Sequence, residues 1–172
     1  SGGATAVINA SLAGALDAAL AGGTVGRVLG MRNGIEGLLA GRFIDLTGLD
    51  ADRRAVLGRT PSAALGTGRY KLQDADLDPI LETCRRENIR WLLYIGGNDS
   101  ADTALRLARH AETTGQDLKV MSIPKTIDND LPEMHCCPGY GSIARYLANA
   151  TRDAIYDTLA SPQLYPVKFI DV

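Results

Sequence analysis

Apolar and polar positions group into blocks along this chain, and the blocks read alternately as helix and strand. A helix rich in Ala and Leu is expected from about Thr5 to Leu20, stopped at Gly22-Gly23, its faces carrying Asn9, Ser11 and Asp17. Val25 to Met31 reads as a strand, Ile35 to Leu39 as a short helical turn, and Phe43 to Leu46 as a weak strand. Asp50 caps an expected helix over Ala51 to Leu57, and the stretch from Thr60 to Lys71, rich in Gly and Ser, reads as loop. Asp76 is expected to cap a helix through Arg86, with Ile80, Leu81 and Cys84 on one face. Ile89 to Ile95 and Lys119 to Ile123 read as strands, the second of them buried, with a helix from Ala101 to Thr113 between them. A helix from about Ser142 to Leu159 leads through Ser161-Pro162 to a last apolar run, Val167 to Val172, read as a strand. This order predicts an α/β fold in three layers, a mostly parallel sheet with helices on both faces.

Polar segments at the strand exits carry the candidate chemistry, because open α/β sheets bind ligands at the carboxyl ends of their strands. Pro124-Lys125-Thr126-Ile127-Asp128-Asn129-Asp130 sets a cation, a hydroxyl and two carboxylates directly after one strand. In an extended segment Asp128 and Asp130 would share a face, suited to a common metal or to separate roles as base and metal ligand. The same triplet also fits a loop in which Asp and Asn only cap turns. Gly96-Gly97-Asn98-Asp99-Ser100 follows the other strand and precedes a helix. Glycines let backbone N–H groups approach a phosphate, and the helix adds the positive end of its dipole. Asp99 would repel a phosphate unless Mg²⁺ lay between them or the carboxylate excluded a bulkier ligand; Asp99 or Ser100 as a simple N-cap is the plainer alternative. Ser1-Gly2-Gly3-Ala4-Thr5 is a third glycine turn running into a helix.

Five anchors together resemble the N-terminal part of the phosphofructokinases, in particular the pyrophosphate-dependent branch. They are Ser1-Gly2-Gly3, Leu65-Gly66-Thr67-Gly68-Arg69-Tyr70, Gly96 to Ser100, Pro124 to Asp130, and Pro138-Gly139-Tyr140-Gly141-Ser142. ATP-using members typically carry glycine at the position of Lys125 and Gly-Gly-Asp-Gly-Ser where this chain has Gly96-Gly97-Asn98-Asp99-Ser100; both differences point toward pyrophosphate. The resemblance implies phosphoryl transfer from pyrophosphate to the 1-hydroxyl of fructose 6-phosphate, with ATP as the alternative donor. It makes Asp128 the base, Thr126 the holder of the transferring phosphoryl group, Asp130 an organiser of substrate and metal, and Lys125 a pyrophosphate contact. Gly2, Gly3, Arg69, Gly97, Asp99 and Ser100 are the implied donor-phosphate residues. Mg²⁺ is the implied cofactor, at Asn98, Asp99 and Asp130. Asn98 stands where aspartate is usual and offers only a neutral carbonyl, which shifts the burden to Asp99, Asp130, water and the donor.

The chain has 172 residues, 45% of them apolar, and a formal charge of −2, which suits one domain with one core. That balance leaves no basic footprint for nucleic acid, and no apolar run approaches a membrane span. Cys84, Cys136 and Cys137 lack zinc spacing and read as reduced thiols of a cytoplasmic protein. His110 and His135 have no carboxylate partner implied by spacing and read as structural or solvent-facing. Against the family pattern residues 1–172 read as a donor-phosphate domain truncated at both ends: Ser1 falls inside a phosphate loop, and members of the family continue past the position of Val172 into Met-Gly-Arg and a second domain. A lost first strand would leave a sheet edge open, so a homo-oligomer is expected. Two other classes compete. A phosphate- or nucleotide-binding module would need the glycine turns but not Asp128, and a kinase of the diacylglycerol or NAD type would have no use for Thr126 to Asp130.

Overall fold

The computed structural model describes residues 1–164 and 166–171. These form two compact units, Ser1–Lys125 and Thr126–Val172. The first carries helices α1 (Ala6–Ala21), α2 (Ile35–Leu39), α3 (Ala51–Arg59), α4 (Leu77–Arg86) and α5 (Asn98–Thr113), with strands β1 (Leu29–Met31), β2 (Phe43–Asp45), β3 (Trp91–Gly96) and β4 (Lys119–Pro124). The second is built on one long helix, α6 (Tyr140–Ala160).

The parallel pair β3/β4, joined through α5, is the frame of the site. Its register runs from Trp91 opposite Lys119 to Gly96 opposite Pro124, so both strands end level. Two faces of α5 explain its place: Ser100, Thr103, Ala104, Leu107 and Ala111 recur at helical spacing and are buried, while Asp102, Arg106, Arg109 and His110 lie between them. Ala104, Leu107 and Ala111 meet Leu92 and Tyr94 of β3 together with Ile35, Leu38, Ile80, Leu81, Cys84 and Leu118 in the main core. β1 and β2 form a separate antiparallel pair, Leu29 to Asp45 through Met31 to Phe43. α1 packs on α3, whose N-cap Asp50 accepts a bond from Arg53 N at 2.7 Å, as expected of that residue.

Several local expectations are corrected. Residues 25–28 are not strand; β1 begins at Leu29. Asp76 stands at the N-cap position of α4 as expected but makes no side-chain cap bond to it. It ends a 3-10 turn, Asp74–Asp76, and its carboxylate accepts from Gln73 N and Tyr70 Oη instead. β4 contains no fully buried residue, and Trp91, Leu93 and Met121 of the pair are exposed, because α5 covers the alternate positions Leu92, Tyr94 and Val120. Residues 167–171 form no strand, for want of a hydrogen-bonded neighbour among the described residues; Val172, read as its end, lies outside them. Asn9 of α1 is 1% exposed, donating to Thr60 O at 2.9 Å and accepting from Ala64 N at 2.7 Å. His110 does have a carboxylate partner: its Nε2 lies 2.6 Å from Asp78 Oδ1, a tie from α5 to α4 that spacing along the chain could not reveal.

The cysteines differ in a way that can be measured. Cys84 is fully enclosed, and burial pushes its thiol up to about 11; Cys137 is also buried, whereas Cys136 is exposed. Near neutral pH a thiol reagent is expected to modify Cys136 in the native protein and all three cysteines after denaturation. Native modification of Cys84 at a comparable rate, read by mass spectrometry, would contradict the packing of α4.

Candidate active site

In the first unit, three segments meet at the carboxyl ends of β3 and β4. The Ser1 nitrogen donates to Ile95 O at 2.6 Å, and the Lys125 nitrogen donates to Gly96 O at 3.0 Å, so both flank the exit of β3. Lys125 Nζ donates to Gly3 O at 2.6 Å and sits 3.6 Å from where a Cβ on Gly2 would stand. Gly2 has φ +78°, which its lack of a side chain allows. Arg69 Nη2 lies 3.9 Å from the corresponding point on Gly3. Two cations therefore face one short glycine turn, an arrangement that attracts an anion.

The glycine pair after β3 is fixed just as tightly. A Cβ on Gly96 would stand 2.0 Å from Ser100 Oγ, so no larger residue fits there. Gly97, not Asp99 or Ser100, is the N-cap of α5, and its carbonyl accepts from Ser100 N and Ala101 N at 3.0 Å each. Asn98 and Asp99 are exposed in the first turn, while Ser100 is buried. Beneath them the Tyr94 hydroxyl is enclosed. Burial raises its pKa, and hydrogen bonds with the Ser1 side chain, the Ile35 backbone and the Ser100 side chain act the other way.

In the second unit, residues 126–139 close into a loop of their own. Thr126 N donates to Pro138 O at 3.2 Å, and Thr126 Oγ1 donates to Asp130 Oδ1 at 3.0 Å while accepting from Asp128 N at 3.1 Å. Asn129, at φ +55°, accepts from Cys137 N at 2.9 Å and donates to His135 O at 3.4 Å. Those bonds commit Thr126 and Asn129 to the loop. The Asp128 carboxylate, by contrast, is exposed and makes no hydrogen bond or ion pair with the described residues of its unit. It has open lone pairs for a proton or a hydroxyl donor.

Gly2, Gly3, Arg69, Gly97 and Lys125 are thus gathered in one unit, and Thr126, Asp128 and Asp130 in the other. Among the described residues no three His, Cys, Asp or Glu side chains form a metal cluster. Of the residues the resemblance implies for Mg²⁺, Asn98 and Asp99 lie in the first unit and Asp130 in the second; an exposed carboxylate such as Asp99 is a donor type that Mg²⁺ accepts alongside water and phosphate.

Residues not singled out in the sequence also shape the cradle. Thr67 Oγ1 donates to Gly2 O, Gly2 N donates to Gly68 O at 3.1 Å, and Asn33 Nδ2 donates to Thr67 O at 3.2 Å. Glu36, in the first turn of α2, brings its Oε1 to 3.2 Å from the Cβ position of Gly68. Only the Asn33-Gly34 dipeptide, a turn signal with both φ positive, hinted at any of this.

Glycine turns at the carboxyl ends of a parallel strand pair, one of them with two cations beside it, form the kind of arrangement in which α/β proteins hold anions. The chain belongs to the phosphofructokinase family, whose profile matches residues 1–169. It is 46% identical over 165 residues to a pyrophosphate–fructose 6-phosphate 1-phosphotransferase of Xanthomonas campestris pv. campestris, covering 93% of this chain and 39% of that protein. A protein of the same description from Methylococcus capsulatus is 44% identical over 163 residues, covering 91% and 39%. The crystal structure of a pyrophosphate-dependent phosphofructokinase from Nitrosospira multiformis superposes with a TM-score of 0.87 at 41% identity, over 92% of this chain and 40% of that one. The chain therefore spans about two fifths of the length of these relatives. Among the described residues no helix is long and apolar enough to cross a membrane.

Proposed function

We propose that this chain is the donor-phosphate portion of a pyrophosphate-dependent phosphofructokinase, transferring a phosphoryl group from pyrophosphate to the 1-hydroxyl of fructose 6-phosphate in glycolysis. The observation that carries the reading is the convergence of Lys125, Arg69 and the Gly2-Gly3 backbone at the exit of β3, two cations on one anion-sized turn. In this reading Lys125, Arg69 and the turns at Gly2, Gly3, Gly97, Asp99 and Ser100 hold and orient the donor. Thr126 steadies the phosphoryl group in transit, Asp128 takes the hydroxyl proton, and Asp130 holds Thr126 in place. Asn98, Asp99 and Asp130 are the residues that would hold Mg²⁺, which when bound neutralises charge on the donor phosphates. Phosphoryl transfer asks a protein mainly for positioning and charge compensation, and these residue types supply both. The near-neutral chain and its reduced-thiol pattern agree with a cytoplasmic protein, and a homo-oligomer remains part of the reading.

The relatives are more than twice as long as this chain, and in-line geometry needs the acceptor held as firmly as the donor. Orientation can account for roughly 7–11 kcal/mol of a barrier. The 172-residue chain on its own is therefore expected to bind pyrophosphate weakly and to show no measurable turnover of fructose 6-phosphate. Calorimetry against pyrophosphate, paired with a coupled assay at high protein concentration, tests both halves. Failure to bind pyrophosphate would overturn the cradle, and clear turnover would show that these residues already complete the site.

A further inference from the structure

We infer that Thr67 is a positioning residue for the phosphate donor: its hydroxyl locks the Gly66-Thr67-Gly68-Arg69 loop to the Ser1-Gly2-Gly3 turn, so that Arg69 and Lys125 address the same anion. The inference rests on the reading of that turn as a pyrophosphate cradle.

Two loops that are far apart in sequence run side by side here. Thr67 Oγ1 donates to Gly2 O across 65 residues, Gly2 N donates to Gly68 O at 3.1 Å, and Ser1 Oγ donates to the same Gly68 O at 3.2 Å. Of the three bonds, the one from Thr67 is the only one given by a side chain of the 66–69 loop. The two cations lie on opposite sides of this seam. Arg69 Nη2 approaches Gly3 from the loop, at 3.9 Å from the Cβ position, and Lys125 Nζ approaches Gly3 O from β4 at 2.6 Å. Slippage of one loop along the other would carry Arg69 away from Lys125. The bonds from Gly2 N and Ser1 Oγ to Gly68 O would break with it, and the Thr67 hydroxyl adds the third tie that resists such a shift.

The other side of Thr67 is anchored to the core. Its carbonyl accepts from Asn33 Nδ2 at 3.2 Å, and Asn33 N in turn donates to Leu65 O at 2.9 Å. Asn33 sits at φ +59° immediately before α2, whose Ile35 and Leu38 are buried in the main cluster. A chain of bonds therefore runs from the rigid core through Asn33 and Thr67 to the glycine turn. Close packing reinforces it: a Cβ on Gly66 would stand 2.6 Å from Asn33 Nδ2, and one on Gly68 2.8 Å from Asn33 O. Thr67 is partly buried while Arg69 is exposed, so the threonine supports the cation without sharing its place at the ligand.

The test compares the unsubstituted 172-residue chain with Thr67→Val and Thr67→Ser, using calorimetry against inorganic pyrophosphate. Valine keeps the branched shape and removes the hydroxyl, whereas serine keeps the hydroxyl. Loss of one such bond is expected to weaken pyrophosphate binding about 3- to 10-fold in Thr67→Val, with Thr67→Ser within about 2-fold of the parent. Equal binding by Thr67→Val and the parent would overturn the inference, and so would equal weakening of both variants, which would place the effect in packing. A Thr67→Val chain that no longer melts cooperatively at the assay temperature would also overturn it, by showing that the hydroxyl holds the fold rather than the cradle. No binding by the parent chain would instead overturn the donor reading itself.

Discussion

Replacement of Asp128 by asparagine is expected to lower turnover by about 10²- to 10⁴-fold, the usual cost of removing a general base. The comparison is best made in a chimera in which residues 1–169 replace the matched segment of the Xanthomonas campestris relative. The argument lies in how the loop divides its work. Thr126 and Asn129 spend their polar atoms closing residues 126–139, and Asp130 receives the threonine hydroxyl, while the Asp128 carboxylate is exposed and unengaged by the described residues of its unit. An isosteric amide there disturbs no bond of the loop, so the melting temperature should hardly move. Removing a turn cap, by comparison, costs about 1 kcal/mol of stability and leaves chemistry alone. Normal turnover in Asp128→Asn would therefore dispose of the base assignment.

Donor choice gives the second large effect. In the same chimera Lys125→Gly is expected to reduce kcat/KM for pyrophosphate on the order of 10- to 100-fold, since a hydrogen bond to a charged group is worth about 1.5–3 kcal/mol. Lys125 is suited to this role because its ammonium is a compact point charge held at the mouth of the glycine turn, 2.6 Å from Gly3 O. An adenosine moiety on the donor would need that space, whereas pyrophosphate needs the charge. Pyrophosphate should accordingly support the reaction far better than ATP before substitution, and the gap should narrow after it. ATP proving the better donor in steady-state assays of the parent chimera would end the pyrophosphate reading.

The parts of the fold that were legible in the sequence are those written in local pattern. The apolar runs of β3 and β4 and the buried stripe of α5 carry their pattern in a short window, and α1 is marked by its run of helix-forming Ala and Leu. Errors came where polar residues belong to an element or where the partner is remote. Asn98, Asp99 and Ser100 look like loop, yet they form the first turn of α5, where polar residues are ordinary. Asp76 looks like a cap but serves the preceding turn. Among the candidate site residues, those whose gathering in space was legible are the ones where motif and charge coincide, as at Gly2, Gly3, Arg69 and Lys125. Thr67 and Asn33 escaped because a hydroxyl and an amide in a glycine-rich stretch read as turn punctuation, and their partners lie 65 and 34 residues away. The His110 to Asp78 contact, across 32 residues, escaped for the same reason.

The cradle's construction from distant segments also sets when it can exist during biosynthesis. Its members come from residues 1–3, 33–36, 67–69 and 94–100, and the last, Lys125, closes the first compact unit. A ribosome adding roughly 5–20 residues per second reaches that lysine about 6–25 s after the first glycine turn has been made. Arg69 and β3 are made within that interval, but the turn lacks its second cation until Lys125 arrives, and α5 must form before β4 can pair in parallel with β3. Nascent chains stalled before Lys125 should consequently be aggregation-prone and dependent on chaperones, whereas those stalled well beyond it should resist protease across the first unit.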